Sequence, residues 1–154
     1  MDKDKISKYR SEVIESFINV EWIINAIISQ HYIKRVEQSF LFEVLYDEYF
    51  TFALRRRILE KIIKNNDKLD KQKVQDLNRL NTIRNYFAHC SQEFIFLSEK
   101  PPRWKVVDPR NIKKEVDFEG LYVDFMKRVI GIEKYLAKLL YDLGGKLVRD
   151  LPKA

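Results

Sequence analysis

Glycine, proline and cysteine are scarce in this chain, and each shortage excludes a class of structure. Four glycines and four prolines in 154 residues offer few of the turns on which an all-β fold depends, and no glycine-rich phosphate-binding loop is present. Cys90 is the only cysteine, which excludes an internal disulfide framework and an all-cysteine metal site. A single thiol also fits a reducing compartment such as the cytoplasm.

Long apolar runs are missing as well. The first ten residues, MDKDKISKYR, contain no apolar signal core, and runs such as WII and AII fall far short of the roughly 20 residues that span a bilayer. We therefore expect a soluble, cytoplasmic protein with no membrane partner.

The residues that are abundant indicate one basic, well-packed domain. With 154 residues, 45% of them apolar and 13% aromatic, the chain is long enough to bury one sizeable core and too short for two ordinary domains. We expect a single domain over residues 1–154. The chain has 29 basic and 23 acidic residues and a net charge of +6. This excess favours binding to polyanions, but charge alone does not indicate a nucleic-acid-binding protein.

Apolar residues recur every three or four positions, which predicts an all-α fold, an antiparallel bundle of four to five helices. Capping residues mark several helix ends: Thr51 and Asp70 are candidate N-caps, and Gly144 with Gly145 is a candidate stop. The predicted helices cover about Asp4–Ile33, Glu37–Asn65 with a break near Tyr49–Thr51, Asp70 to Phe87 or Ala88, and Asp117 to the glycine pair.

One segment interrupts this pattern. Between about Ser91 and Glu115 the helical period disappears, and the stretches EFIFLS and RWKVV are separated by EKPP. Apolar stretches around such a turn signal predict a short β-hairpin or an extended insertion before the last helix.

The predicted third helix carries a cation on its apolar side. At about 100° per residue, Leu77, Leu80, Phe87 and Ala88 fall on one side, and Arg84 falls between them. An arginine in this position either snorkels outward, forms a buried ion pair, or serves a site.

Asn85 directly follows Arg84, and His89, one of two histidines, comes where the helical pattern ends. On one straight helix the side chains of Arg84 and His89 diverge by about 140°. Either the helix ends or bends around Ala88, or the two groups line a groove completed by a second copy of the chain. A twofold axis there gives a basic cleft suited to a phosphodiester.

The sequence IRNYFAHC resembles the motif of HEPN domains, which are short helical bundles. Their motif is an arginine, four to six residues and a histidine, usually with a polar residue directly after the arginine. Arg84, Asn85 and His89 match it with a four-residue gap, and the stretch is similar to the IRN-x-FAH form of HEPN-like proteins related to mannitol-operon repressors. In those proteins, too, a helix similar to FTFALRRRILEKIIKNN is followed by a polar turn and then by the helix that carries the motif.

This resemblance implies a metal-independent endoribonuclease that works as a homodimer, often as the toxin of a toxin–antitoxin or phage-defence system. His89 would act as general base or acid on the ribose 2′-hydroxyl or the leaving oxygen, and Arg84 would stabilise charge on the phosphate. Asn85 would orient a neighbour or hold the dimer. No cofactor is implied, and an antitoxin or regulatory protein is an implied partner.

Two features of the resemblance limit what it implies. Some HEPN-like members of the repressor-related branch are non-catalytic modules that bind a protein or nucleic acid, so that function stays open. Toxins with a modified tyrosine carry it two residues after the histidine, whereas here Cys90 and Ser91 follow His89.

Glu21 and Asn25 lie one turn apart on the first predicted helix, among isoleucines and Phe17. A carboxylate in that setting needs a cation. We expect Glu21 to meet Arg84, as a structural pair or as the group that orients it, or else to meet another basic residue or solvent.

The remaining candidates have weaker patterns. Arg55, Arg56 and Arg57 point in three directions on a helix, and one could contact RNA. Trp104, with basic neighbours Arg103, Lys105 and Arg110, could stack on bases, although anchoring the insertion on the bundle is favoured. Cys90 is expected to be a packed thiol and not a nucleophile, and no cluster with metal-ligand spacing surrounds His31.

Overall fold

A computed structural model describes residues 3–89, 91–95, 103–108 and 111–146. Helices dominate this part of the chain, which confirms the predicted helical architecture. The elements are α1 Lys3–Ile33, α2 Gln38–Phe40, a π-helical turn Leu41–Leu45, α3 Phe52–Asn65, α4 Lys71–His89, strands β1 Ser91–Ile95, β2 Arg103–Asp108 and β3 Asn111–Glu115, and α5 Phe118–Asp142.

Two predicted N-caps are confirmed. The Thr51 hydroxyl accepts a hydrogen bond from the Leu54 backbone N–H at 3.3 Å, and the Asp70 carboxylate accepts one from the Lys73 N–H at 3.1 Å. Each bond satisfies a backbone donor that the first helical turn leaves without a partner. These caps fix where α3 and α4 begin.

Gly144 and Gly145 end α5, as predicted. Gly144 has φ +82°, a left-handed conformation that glycine adopts at little cost. The Gly145 N–H donates to the Leu140 carbonyl at 2.9 Å, and the Gly144 N–H donates to the Tyr141 carbonyl at 2.8 Å. This pair of bonds is the Schellman arrangement that closes a helix C-terminus.

The three strands form one antiparallel sheet in the order β1-β2-β3. Ser91 pairs with Val107 and Ile95 pairs with Arg103, while the β2–β3 register shifts between Val107 and Asp108. The EKPP turn that the sequence predicts between the first two strands lies outside the described residues, so the hairpin itself stays a prediction.

Contacts divide the chain into two compact units. Unit 1 comprises Met1–Phe17 and Leu77–Val129, and unit 2 comprises Ile18–Asp76 and Ile130–Ala154. The three long helices α1, α4 and α5 each contribute residues to both units. The single domain over residues 1–154 stays a prediction.

In unit 1, α1 runs parallel to α5. The Lys5 ammonium lies 2.7 Å from the Glu119 carboxylate, and one to two turns further along both helices the Tyr122 hydroxyl donates to Glu12. The sequence predicts an antiparallel bundle, and that is wrong for this pair. Helical periodicity reports which side of a helix is buried but carries no information about direction.

By contrast, α4 runs antiparallel to α5. The Arg79 guanidinium contacts the Asp124 carboxylate at 2.8 Å, and further along α4 the Phe87 ring packs on Phe118, which lies nearer the start of α5, with ring centroids 3.9 Å apart. This pairing places the C-terminal end of α4 beside the N-terminal end of α5.

The middle of α1, in unit 2, is buried on every side. All residues from 23 to 30 are less than 9% exposed, in agreement with its nearly all-round apolar sequence. Asn25 is fully buried, and neither its amide nitrogen nor its oxygen has a hydrogen-bond partner among the described residues. None of the helices in the described part of the chain combines the length and apolarity needed to cross a membrane.

Candidate functional site

Helix α4 presents the Arg84–His89 motif on a continuous stretch of helix. It remains helical through Ala88 and ends at His89, which agrees with the predicted helix end around Ala88. The two side chains therefore leave the helix about 140° apart. Within one chain, the geometry of α4 directs them to different sides.

Arg84 sits at the edge of the buried side of α4. Leu80, Ile83 and Phe87 are fully buried there, and Arg84 is half-buried. Its guanidinium carbon lies 4.8 Å from the centre of the Phe17 ring on α1, within the range of a cation–π contact. The contact holds the guanidinium against α1 in unit 1 instead of letting it extend freely into solvent.

Asn85, Ala88 and His89 form the exposed side of the motif. Asn85 and His89 lie four residues apart, so their side chains are neighbours on the helix surface, and both are exposed. The sequence places Ala88 on the apolar side, and this is wrong because Ala88 is also exposed. Because the side chain of Ala88 is only a methyl group, no bulky side chain covers the helix surface between Arg84 and His89.

Sequence reasoning missed two neighbours of the motif. Tyr86, inside RNYFAH, donates from its hydroxyl to the Asp108 carboxylate at 3.5 Å, and Asp108 is 7% exposed at the end of β2. Phe17 is the other, since its ring packs under Arg84. Asp108 follows two valines in RWKVVD, a carboxylate at the end of an apolar run, which is the one signal in the sequence that could have drawn attention to it.

Glu21 pairs with Arg55, one of the alternatives that the sequence left open. The Arg55 Nη2 and Glu21 Oε1 atoms are 3.4 Å apart, and the two side chains are 11% and 17% exposed. Arg55 Nη1 also donates to the Leu45 carbonyl at 3.2 Å. A contact of Glu21 with Arg84 stays a prediction.

The three consecutive arginines of α3 point in different directions, as predicted. Arg55 points inward to Glu21, and Arg56 pairs with Glu60 one turn along at 3.2 Å. Arg57 is exposed. A contact of any of the three with RNA stays a prediction.

Trp104 lies on β2, where it pairs with Phe94 of β1, and its stacking role stays a prediction. Cys90 and Arg110 lie outside the described residues, so the predicted packing of the Cys90 thiol and the predicted role of Arg110 beside Trp104 are not tested by the structure.

Two titratable groups of unit 1, Tyr122 and Asp124, have shifted pKa values. The hydrogen bond to the Glu12 carboxylate, together with partial burial, raises the pKa of Tyr122 to about 12. Asp124 contacts Arg128 at 2.6 Å and Arg79 at 2.8 Å. Burial raises the pKa of Asp124, but hydrogen bonds from the two arginines outweigh it and hold that pKa below its ordinary value.

Across the part of the chain that the structure describes, no three His, Cys, Asp or Glu residues are grouped so that they could hold a metal ion. No protein-family model, curated protein or solved structure matches the chain. The motif on α4 and its surroundings are therefore the basis for assigning a function.

Proposed function

We propose that the protein is a HEPN-like endoribonuclease that acts as a homodimer and needs no metal ion. The observation that carries the proposal is the placement of Arg84, Asn85 and His89 on one continuous helix, with Arg84 packed on Phe17 and His89 exposed at the helix end. In this proposal the chain acts on cytoplasmic RNA as a toxin or phage-defence component and is restrained by an antitoxin or regulatory protein.

Arg84 suits the binding and stabilisation of a phosphate. Arginine stays charged at all physiological pH values and can donate two hydrogen bonds to a phosphate at once. The Phe17 ring 4.8 Å from the guanidinium carbon restricts where that cation can lie. A restricted cation stabilises charge in a transition state better than a freely moving one, because less reorganisation is needed during the reaction.

The divergence of Arg84 and His89 supports a site made from two chains. A twofold axis beside the C-terminal end of α4 brings the Arg84 of one copy toward the His89 of the other. The exposed side chains of Asn85 and His89 then face the partner, and the small side chain of Ala88 permits close approach of the two helices. Each copy supplies one arginine and one histidine to a shared cleft.

The reaction is a transesterification within the RNA. One His89 takes the proton of the ribose 2′-hydroxyl, and the 2′-oxygen attacks phosphorus while the bond to the 5′-oxygen breaks. The second His89 gives a proton to that leaving oxygen. The products are a 2′,3′-cyclic phosphate and a 5′-hydroxyl, and Arg84 stabilises the negative charge that develops on the phosphate oxygens.

The test is cleavage of labelled RNA by the purified chain in the presence of EDTA. The expected result is cutting with cyclic phosphate ends. An otherwise identical RNA that carries a 2′-O-methyl group at the cut position should stay intact, since it has no hydroxyl to attack. Cutting of that methylated RNA would contradict the mechanism.

His31→Ala provides the matched control, because His31 is the only other histidine and lies in the last turn of a different helix. It should cut RNA at the wild-type rate. If the wild-type chain cuts none of a broad set of RNAs, the proposal fails and a non-catalytic HEPN-like regulatory module takes its place.

A further inference from the structure

The segment between Arg35 and Arg55 has a composition unlike the rest of the chain. It contains no lysine or arginine, although the chain has 29 of them, and it contains four acidic residues. Three of these, Glu43, Asp47 and Glu48, are exposed. This exposed segment of unit 2 is therefore acidic, although the chain as a whole is basic.

The same segment exposes large apolar side chains. Tyr49 is 80% exposed, Phe42 66% and Tyr46 40%, and the Phe42 and Tyr46 rings stack with centroids 5.7 Å apart. Single exposed apolar residues are ordinary on protein surfaces, but several exposed aromatic residues within eight positions, two of them stacked on each other, are a candidate interaction site. We call the surface formed by Phe42, Glu43, Val44, Tyr46, Asp47, Glu48 and Tyr49 the acidic-aromatic patch.

The backbone beneath the patch is held in place. Leu41 and Leu45 are 2% and 0% exposed and anchor the π-helical turn in the core of unit 2. Arg55 donates to the Leu45 carbonyl at 3.2 Å, and its guanidinium carbon lies 5.9 Å from the centre of the Tyr46 ring. The ion pair with Glu21 fixes Arg55 in turn. A surface ordered before binding loses less conformational entropy when a partner docks.

We propose that the acidic-aromatic patch binds a basic, amphipathic segment of another protein. The aromatic rings would bury its apolar side chains, and the three carboxylates would meet its lysines and arginines. RNA is disfavoured here because its phosphates would be repelled by these carboxylates. A twofold contact between two copies through the patch is also disfavoured, because it would bring the three carboxylates of one copy against the three of the other. The inference does not depend on the ribonuclease proposal.

The test uses the full chain and a fluorescently labelled synthetic helix that has leucines on one side and lysines on the other. Anisotropy should report binding that weakens as salt rises, since charge contributes to it. A twin peptide in which every lysine is replaced by glutamate should not bind. Equal binding of both peptides, or of neither, would overturn the proposal.

Variants locate the binding surface. Phe42→Ser and Tyr49→Ser should each weaken binding of the lysine peptide about 30-fold, the effect typical of a central aromatic contact. Glu43→Lys combined with Glu48→Lys should weaken it at least as much.

The controls are Val123→Ser and Ile130→Ser, which remove side chains that are 60% and 53% exposed on α5, and Glu15→Lys on α1. If the controls weaken binding as much as the patch variants, the patch is not the site.

Sedimentation separates a foreign partner from a second copy. The Phe42→Ser, Tyr49→Ser double variant should sediment as the wild-type chain does. If these substitutions convert a wild-type dimer to a monomer, the occupant is another copy of this chain and the proposal is wrong.

Discussion

The phenol rings of Tyr9 and Tyr122 lie parallel, with centroids 3.8 Å apart and an angle of 4° between their planes. This stack joins α1 to α5 in unit 1. Around it, Tyr122 donates to the Glu12 carboxylate, and Lys5 pairs with Glu119 at 2.7 Å. An aromatic pair typically adds about 0.5–1.5 kcal/mol beyond the area that it buries, so the stack contributes to the packing of α1 on α5.

Stability should fall in alkaline solution because of Tyr122. Its pKa is about 12 in the folded chain, against an ordinary value of 10.0, so the folded state holds the proton more tightly than the unfolded state does. This contribution is complete below about pH 10 and is lost as pH rises to about 12. The near-ultraviolet titration of wild type minus that of Tyr122→Phe isolates this group, and a midpoint near 10 would contradict the prediction.

The Glu12→Gln variant tests the cause of that shift. Because the hydrogen bond to the Glu12 carboxylate is the largest cause, the difference titration in this background should move toward pH 10.

Asp124→Asn should destabilise the chain at neutral pH. Asp124 is 24% exposed and contacts both Arg79 and Arg128, and its loss should lower the free energy of unfolding by about 1 kcal/mol, or the melting temperature by about 2–4 °C. The pKa of Asp124 is lowered from 3.8 in the folded chain, so its contribution is present above about pH 3.8 and is lost as pH falls through the lower, folded-state value.

Thermal unfolding at pH 7 and near pH 3 checks this prediction. The difference between wild type and Asp124→Asn should shrink at the acidic pH. Glu15→Gln, which removes an exposed carboxylate of α1, is the control and should change little at either pH. A difference for Asp124→Asn that grows on acidification would contradict the assignment.

His89→Ala and Arg84→Ala should each lower the rate of RNA cleavage by about 10²- to 10⁴-fold. These are the usual effects of removing a general acid or base and of removing charge stabilisation. Cys90→Ser should leave cleavage largely intact, because the proposed reaction assigns no step to the thiol. A quenched-flow or gel assay under single-turnover conditions measures the rates.

Folding must be checked alongside these rates. Arg84→Ala also removes the contact with Phe17, which should cost about 0.5–1 kcal/mol, so its melting temperature should fall slightly. If both motif variants fold, dimerise and cut RNA at the wild-type rate, the nuclease site lies elsewhere.

The chain should form a homodimer. Sedimentation equilibrium at micromolar concentration should give about twice the chain mass of 18.6 kDa, because the proposed cleft needs α4 from two copies. A strict monomer would contradict the shared site.

Local interactions explain which parts of the fold the sequence predicted. Thr51 and Asp70 each bond to a backbone N–H three residues further along, so their roles follow from short sequence patterns. The π-helical turn Leu41–Leu45 was not predicted, because its geometry depends on burial of its two end leucines and on Arg55 reaching back ten residues to Leu45. The parallel direction of α1 and α5 likewise depends on contacts more than one hundred residues apart.

The candidate site divides in the same way. The edge position of Arg84 on α4 follows from helical periodicity, which also places Leu77, Leu80 and Phe87 on the buried side. Its contact with Phe17 does not, because 67 residues separate them, and many apolar residues of α1 were equally plausible partners. Ala88 was misplaced because alanine packs at both buried and exposed helix positions.

The unbroken course of α4 through Ala88 has a consequence for control. Since the helix itself sets the divergence of Arg84 and His89, a rotamer change inside one chain does not assemble the proposed cleft. On the proposed mechanism, RNA cleavage would then begin only when two chains associate. At concentrations below the dissociation constant of the pair, the cleavage rate should then rise with the square of the protein concentration. Dilution alone would stop the proposed cleavage, and a protein that covers the end of α4 on one copy would inactivate two chains at once.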